Sequence, residues 1–139
     1  MRILLIDGQG GKLGKELAEN ILKRFNQVDL IGVGTNSIAT SAIMKAGVTQ
    51  VATGENPVLF NAERCDVIIG PIGLIAANSL LGEITPAMAN AIASSKAVKI
   101  LVPTNRCNNI IAGVTNTNLS FLIDDAMNKL SAVLGKETK

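Results

Sequence analysis

An uninterrupted apolar run, Ile3-Leu4-Leu5-Ile6, passes directly into Asp7-Gly8-Gln9-Gly10-Gly11-Lys12-Leu13-Gly14, and from there into an amphipathic pattern. The run reads as a buried strand. The pattern reads as a helix, because Leu13, Leu17, Ile21, Leu22 and Phe25 fall on one face and Lys12, Lys15, Glu16, Glu19 and Lys23 on the other, with Glu19 and Lys23 one turn apart. A glycine-rich turn between a buried strand and a helix gathers backbone N–H groups and the positive end of a helix dipole at one point. Such a point holds an anion, usually a phosphate.

Within the turn, Gly8, Gly11 and Gly14 give the G-x-x-G-x-x-G spacing of some nicotinamide-binding Rossmann domains, whereas the commoner G-x-G-x-x-G fails at Leu13. A P-loop aligned on Gly14-Lys15 would need glycine at Gln9 and a hydroxyl residue at Glu16, so a Walker-type nucleotidase is not indicated. The competing reading is that these glycines only let the first helix pack tightly on the first strand.

Beyond the turn, short apolar runs keep alternating with helical patterns, the rhythm of a doubly wound, mostly parallel sheet with helices on both faces. Strands are predicted near Val28–Val33, Val48–Ala52, Asp66–Gly70 and Val98–Val102, with a sixth at Ile110–Val114. Gly34-Thr35-Asn36-Ser37 opens a helix carrying Ile38, Ala42, Ile43 and Ala46, closed by Gly47. Asn56-Pro57 starts a short helix with Asn56 as cap, and the helical region from Gly73 to Ser95 divides in two where Gly82-Glu83-Ile84-Thr85-Pro86 supplies a stop and a fresh start. A last helix runs from Leu119 to Leu134, ended by Gly135, with Lys136 to Lys139 as a frayed charged tail. Only Pro103 to Asn109 separate the last two strands, too few residues for a right-handed crossover, so an antiparallel edge strand is expected.

A length of 139 residues fits one α/β domain over 1–139, large enough to bury roughly two-thirds of its unfolded surface without disulfide or metal. A net charge of +2 with signs interspersed, and 2% aromatics with neither Trp nor Tyr, provide neither the basic stripe nor the stacking platforms of a nucleic-acid partner. Met1-Arg2-Ile3 opens straight into a strand, and no apolar run nears the roughly 20 residues a bilayer span requires, so no membrane partner and a cytoplasmic location are expected. Cys65 and Cys107 lack C-x-x-C spacing and the chain has no histidine, which argues against a metal site and for free, reduced thiols.

In a doubly wound sheet, ligands bind beyond the carboxyl ends of the strands, where the strand order reverses. The segments expected there are Asp7–Gly11, Gly34–Ser37, Gly54–Asn56, Gly70-Pro71-Ile72-Gly73 and Pro103–Asn109, all rich in glycine and small polar side chains. A nicotinamide site usually has an acid at the end of the second strand for the ribose, or an arginine nearby for a 2′-phosphate. This chain has Gly34-Thr35-Asn36-Ser37, so NAD or NADP stays possible without that support, and Thr35 and Asn36 can either bind a ribose or cap the following helix. The candidate binding residues are Gly8, Gln9, Gly10, Gly11, Lys12, Gly14, Thr35, Asn36, Gly70, Pro71, Asn105 and Arg106.

Catalytic groups are scarce. Without histidine or tyrosine, the Ser-His-Asp, Cys-His and Tyr-x-x-x-Lys arrangements are excluded. Arg106 among asparagines suits a clamp on phosphate or carboxylate, or a brace on its own loop. Cys107 beside it is a reactive thiol or a buried filler. Glu83 caps the helix at Pro86 or meets a ligand. Asp7 orients the glycine turn or moves a proton, and burial would raise its pKa unless N–H groups satisfy it.

The blocks Ile6-Asp7-Gly8-Gln9-Gly10-Gly11, Gly34-Thr35-Asn36, Ala52-Thr53-Gly54-Glu55-Asn56, Ile69-Gly70-Pro71-Ile72-Gly73, Gly82-Glu83-Ile84-Thr85-Pro86 and Asn105-Arg106-Cys107-Asn108 together resemble an uncharacterised family of small bacterial Rossmann-like proteins, domain of unknown function 3842. The resemblance spans nearly the whole chain. It implies the fold and a bacterial cytosolic setting, and transfers no reaction.

Three readings follow. The first is a binding or regulatory module for a nucleotide or other phosphorylated small molecule. The second is a small NAD(P)-dependent oxidoreductase whose cofactor does the chemistry. The third is a structural component of a homo-oligomer, with Ile72, Leu74, Ile75, Leu80 and Leu81 at a subunit interface. A mean hydropathy of +0.36 favours a homodimer or larger under any of them. Gly10→Val or Gly11→Val is expected to abolish ligand binding with the fold largely intact.

Overall fold

The computed structural model describes residues 1–104 and 108–137. Five strands, β1 (Arg2–Asp7), β2 (Asp29–Gly34), β3 (Gln50–Thr53), β4 (Val67–Pro71) and β5 (Val98–Val102), form one sheet in the order β3-β2-β1-β4-β5. Every pairing in it is parallel. The helices are α1 (Lys12–Arg24), α2 (Ser37–Lys45), α3 (Glu55–Ala62), α4 (Pro86–Ser94) and α5 (Leu119–Glu137), and one turn of 3-10 helix covers Ile72–Ile75.

β1 is the axis of the molecule. Ile3, Leu4, Leu5 and Ile6 have no exposed surface, and strand alternation sends them to opposite faces. Ile3 and Leu5 join Leu13, Leu17, Ile21, Ile43, Ile123, Met127 and Leu130 from α1, α2 and α5. Leu4 and Ile6 join Val58, Ala62, Met88 and Ile92 from α3 and α4 on the other side. Each of the four side chains contributes about 1.5–3 kcal/mol by leaving water, which is why an uninterrupted apolar run marks a strand covered on both faces.

Several expectations from the sequence are corrected. The antiparallel edge strand is absent: Ile110–Val114 is irregular chain, and β5 is the sheet's edge. Ile110 is 98% exposed, so the segment lacks the burial that would hold a strand in register there. The expected first helix of the Gly73–Ser95 region shrinks to the 3-10 turn and a chain of turns, in which Asn78, Leu80 and Leu81 have positive φ (66°, 56° and 56°) and cannot continue a right-handed helix. α3 starts before Asn56, with Gly54 preceding it and Pro57 inside its first turn. Gly135 does not end α5, which runs on to Glu137.

Candidate functional site

The strand order reverses between β1 and β4: from β1 the chain moves outward through β2 and β3, then returns to β4 and β5 on the other side. At the carboxyl ends of these strands lies a cleft of about 430 Å³, lined by Asp7 to Leu13, Pro71, Leu80, Pro103, Thr104, Thr117, Leu119 and Leu122. The glycine turn forms one wall. This is where an open parallel sheet places its ligand.

The turn closes with a 3.0 Å hydrogen bond from Gly11 N–H to the Gly8 carbonyl, and Gln9 takes a left-handed conformation at φ 49°. Asp7 organises it from below. Its Oδ1 accepts from Gly8 N–H at 2.8 Å and its Oδ2 from Gly14 N–H at 2.6 Å, so a carboxylate ties the end of β1 to the first turn of α1. Burial raises the pKa of Asp7, the two donated N–H bonds pull against that, and the nearby charge of Glu83 adds to the rise. Among the described residues, the backbone N–H groups of Gly10, Lys12 and Leu13 have no hydrogen-bond partner. They are donors open to a ligand or to water.

The glycines of the G-x-x-G-x-x-G spacing are all held by packing. A Cβ at Gly8 would stand 2.6 Å from Thr35 Oγ1 and 2.9 Å from Leu80 Cδ1. At Gly11, where φ is +76°, it would stand 2.8 Å from the Ala39 Cα, and at Gly14 2.7 Å from the Asp7 Cβ. Gly10 is different: it is exposed, and a Cβ there would meet nothing within 4 Å. The expectation that Gly11→Val spares the fold is therefore corrected, and Gly10 is the position that separates ligand from fold. Gly70 is also a packing glycine, since a side chain there would strike the Ile6 carbonyl and Leu74.

Thr35 and Asn36 do not line the cleft. Asn36 Oδ1 caps α2 by accepting from Ala39 N–H at 2.9 Å, as one of its two expected roles requires. Its Nδ2 donates to the Gln9 carbonyl at 3.0 Å and to Glu83 Oε1 at 2.7 Å; the same Glu83 oxygen also accepts from Thr35 Oγ1 at 2.5 Å and from Gln9 N–H at 3.0 Å. Glu83 thus joins the turns after β1 and β2 to the chain before α4. It is not the cap of α4, a role filled by Thr85 Oγ1, which accepts from Met88 N–H at 3.1 Å. Partial burial would raise the pKa of Glu83, but the donors Thr35, Gln9 and Asn36 together hold it below its usual value.

Pro71 lines the cleft and Lys12 stands exposed at its rim. Asn105, Arg106 and Cys107 lie outside the described residues. Pro103 and Thr104 line the cleft, as expected of the loop after β5; Leu80, expected at a subunit interface, lines it too, and Thr117, Leu119 and Leu122 do so without a binding role being read for them in the sequence. The polar run Thr115-Asn116-Thr117-Asn118 ahead of an apolar helix is the signal for the last three, and Asn118 does cap α5 by accepting from Phe121 N–H at 3.2 Å. A larger groove, about 720 Å³, adjoins the cleft at Pro103 and Leu122 and runs between β5 and α5, with Val98, Ile100, Ile111, Phe121 and Val133 on its walls. Among the described residues no three Cys, Asp or Glu side chains gather as metal ligands, and no helix is long and apolar enough to cross a membrane.

The family described as Domain of unknown function (DUF3842) matches residues 2–135. The chain belongs to that family. Its match takes in the whole glycine turn, the Glu83 segment and the cleft walls at Thr117–Leu122, so the site is built from family sequence throughout. No curated protein matches the sequence. Among solved structures, a dodecameric FMN-dependent UbiX-like decarboxylase from Escherichia coli O157:H7 aligns over 96% of this chain and 76% of its own, at 17% identity and a TM-score of 0.48. Likeness at that level bears on neither the ligand nor the assembly of this chain.

Proposed function

We propose that this protein is a binding or regulatory module for a nucleotide or other phosphorylated small molecule, held in the cleft between the glycine turn and Thr117–Leu122. The observation that carries the reading is the set of open N–H donors at Gly10, Lys12 and Leu13, at the positive end of α1 and on the wall of a cleft at the strand-order reversal. A phosphate there accepts from these donors, and the exposed Lys12 ammonium offsets the carboxylates of Asp7 and Glu83. Among the described residues only Asp7 and Lys12 bring ionisable side chains to the cleft lining, which favours binding over catalysis. The same proposal places the protein in the bacterial cytoplasm, the setting its family resemblance implies.

A thermal-shift panel of inorganic phosphate, AMP, GMP, FMN, sugar phosphates and coenzyme A tests this reading, since a ligand that binds only the folded state raises Tm. A rise with at least one phosphate compound supports it; silence across the panel contradicts it.

Self-association is a second reading, carried by the apolar β5–α5 groove and by β5, whose outer edge has no strand partner among the described residues. Val98 and Phe121 there are 47% and 51% exposed. Sedimentation velocity that finds only monomer at high concentration would remove it.

A further inference from the structure

We infer that the segment from Ala76 to Thr85 is a strap, latched by Glu83, that seals the β2 side of the cleft, so that the site admits a mononucleotide-sized phosphate compound and excludes a dinucleotide. The inference rests on the ligand reading above and narrows it. A dinucleotide lies across the strand-order reversal, with one ribose between the turn after β1 and the end of β2. In this protein that space is filled. The methyl Cδ1 of Leu80 and the Oε1 of Glu83 stand 2.9 and 3.1 Å from where a Gly8 Cβ would be, and the same oxygen binds Gln9 N–H, Thr35 Oγ1 and Asn36 Nδ2. Among the described residues the cleft consequently has no lining from β2 or β3; beyond the glycine turn and Leu80, its walls come from the end of β4, the chain after β5 and the start of α5.

The acid that nicotinamide-binding domains have at the end of β2 is thus present in space, but its bonded oxygen is spent on three protein donors. The strap is also an unusual piece of chain. Leu80, Leu81 and Gly82 run in the left-handed region, Leu80 is buried against the cleft, and Leu81 is 97% exposed. Two consecutive leucines hold that backbone only where neighbouring contacts impose it, and the Glu83 latch and the Asn78 N–H to Ile84 carbonyl bond of 2.7 Å are those contacts.

The test compares AMP with NAD by isothermal titration on the wild type, Glu83→Ala and Leu80→Gly, with hydrogen exchange of the Gln9, Asn78 and Ile84 amides measured on each. Glycine suits the left-handed backbone at position 80, so Leu80→Gly removes the plug even if Glu83→Ala fails to fold. The wild type is expected to prefer AMP by at least tenfold, and the preference to narrow by at least tenfold in the variants, with faster exchange at Gln9 when the latch is cut. NAD binding the wild type as well as AMP, or an unmoved preference in a variant with a loosened strap, overturns the inference and leaves the ligand reading standing. Silence with AMP, NAD and every phosphate compound of the panel overturns both.

Discussion

Asp7 Oδ2 accepts a 2.6 Å hydrogen bond from the backbone N–H of Gly14, fastening the end of the central strand to the first turn of the first helix. Gly14 is small because Asp7 is there: a Cβ would lie 2.7 Å from the Asp7 Cβ. The pair fixes the angle at which α1 leaves the sheet, and hence where the open N–H donors of the turn point.

Asp7→Ala leaves the N–H groups of Gly8 and Gly14 without their buried acceptor. It is expected to cost about 1–3 kcal/mol for each donor left unsatisfied, less whatever water restores, read as a lower midpoint in urea. A midpoint within error of wild type would show that the carboxylate does not organise the turn.

Substitutions at the glycines should divide by geometry. Gly14→Ala and Gly11→Val each force a collision with backbone or Cβ atoms, and Gly11 adds a φ of +76°, so both should lower stability by about 1–3 kcal/mol. Gly10→Val meets nothing and has no positive φ, so its effect on stability should stay within about 0.5 kcal/mol. Thermal melts of the three variants check the order.

How much of this was readable in advance follows from how local each cause is. β1, the glycine turn and α1 come from apolar run, turn residues and helical spacing within one short stretch, and they stand as expected. The Thr85-Pro86 start of α4 and the Asn36 cap of α2 are equally local. Glu83 was ambiguous because its partners, Gln9, Thr35 and Asn36, are distant in sequence, and only the fold brings them to one oxygen. Ile110–Val114 reads as a strand but is irregular chain, because an apolar run looks the same in sequence whether or not a neighbour covers it. The glycine spacing suggested a dinucleotide site, while the packing around Gly8, Gly11 and Gly14 accounts for all three positions.

The two carboxylates near the turn should have opposite pH signatures. Glu83 binds its proton less tightly in the folded protein, so its contribution is complete above its ordinary value of 4.5 and is lost as pH falls through the lowered one. Asp7 binds its proton more tightly when folded, so its contribution is complete below 3.8 and is lost as pH rises through the raised value. Glu83→Gln keeps an oxygen for the three donors, removes the first dependence and, by deleting a charge that adds to the rise at Asp7, weakens the second. Urea midpoints from pH 3 to 7 should therefore show the wild type gaining on Glu83→Gln as pH rises; a constant gap would contradict the assignment.

Cys65 is half-buried, and burial, with the charge of Asp66 added, pushes its thiol up to about 11. In a Cys107→Ser background, alkylation by iodoacetamide at pH 8 should be slower than that of an unhindered thiol by about a hundredfold, as the smaller thiolate fraction requires. Labelling at the rate of free cysteine would contradict the raised pKa.

The central claim is that the open donors of the glycine turn hold a phosphate. Isothermal titration of wild type and Gly10→Val with AMP and with inorganic phosphate tests it most directly, because that substitution crowds the donors without touching the fold. The account predicts AMP binding to the wild type and at least tenfold weaker binding to a variant whose Tm is unchanged. Equal affinity in the two proteins, or no binding to the wild type by AMP, by inorganic phosphate or by any other phosphate compound of the thermal-shift panel, would contradict it.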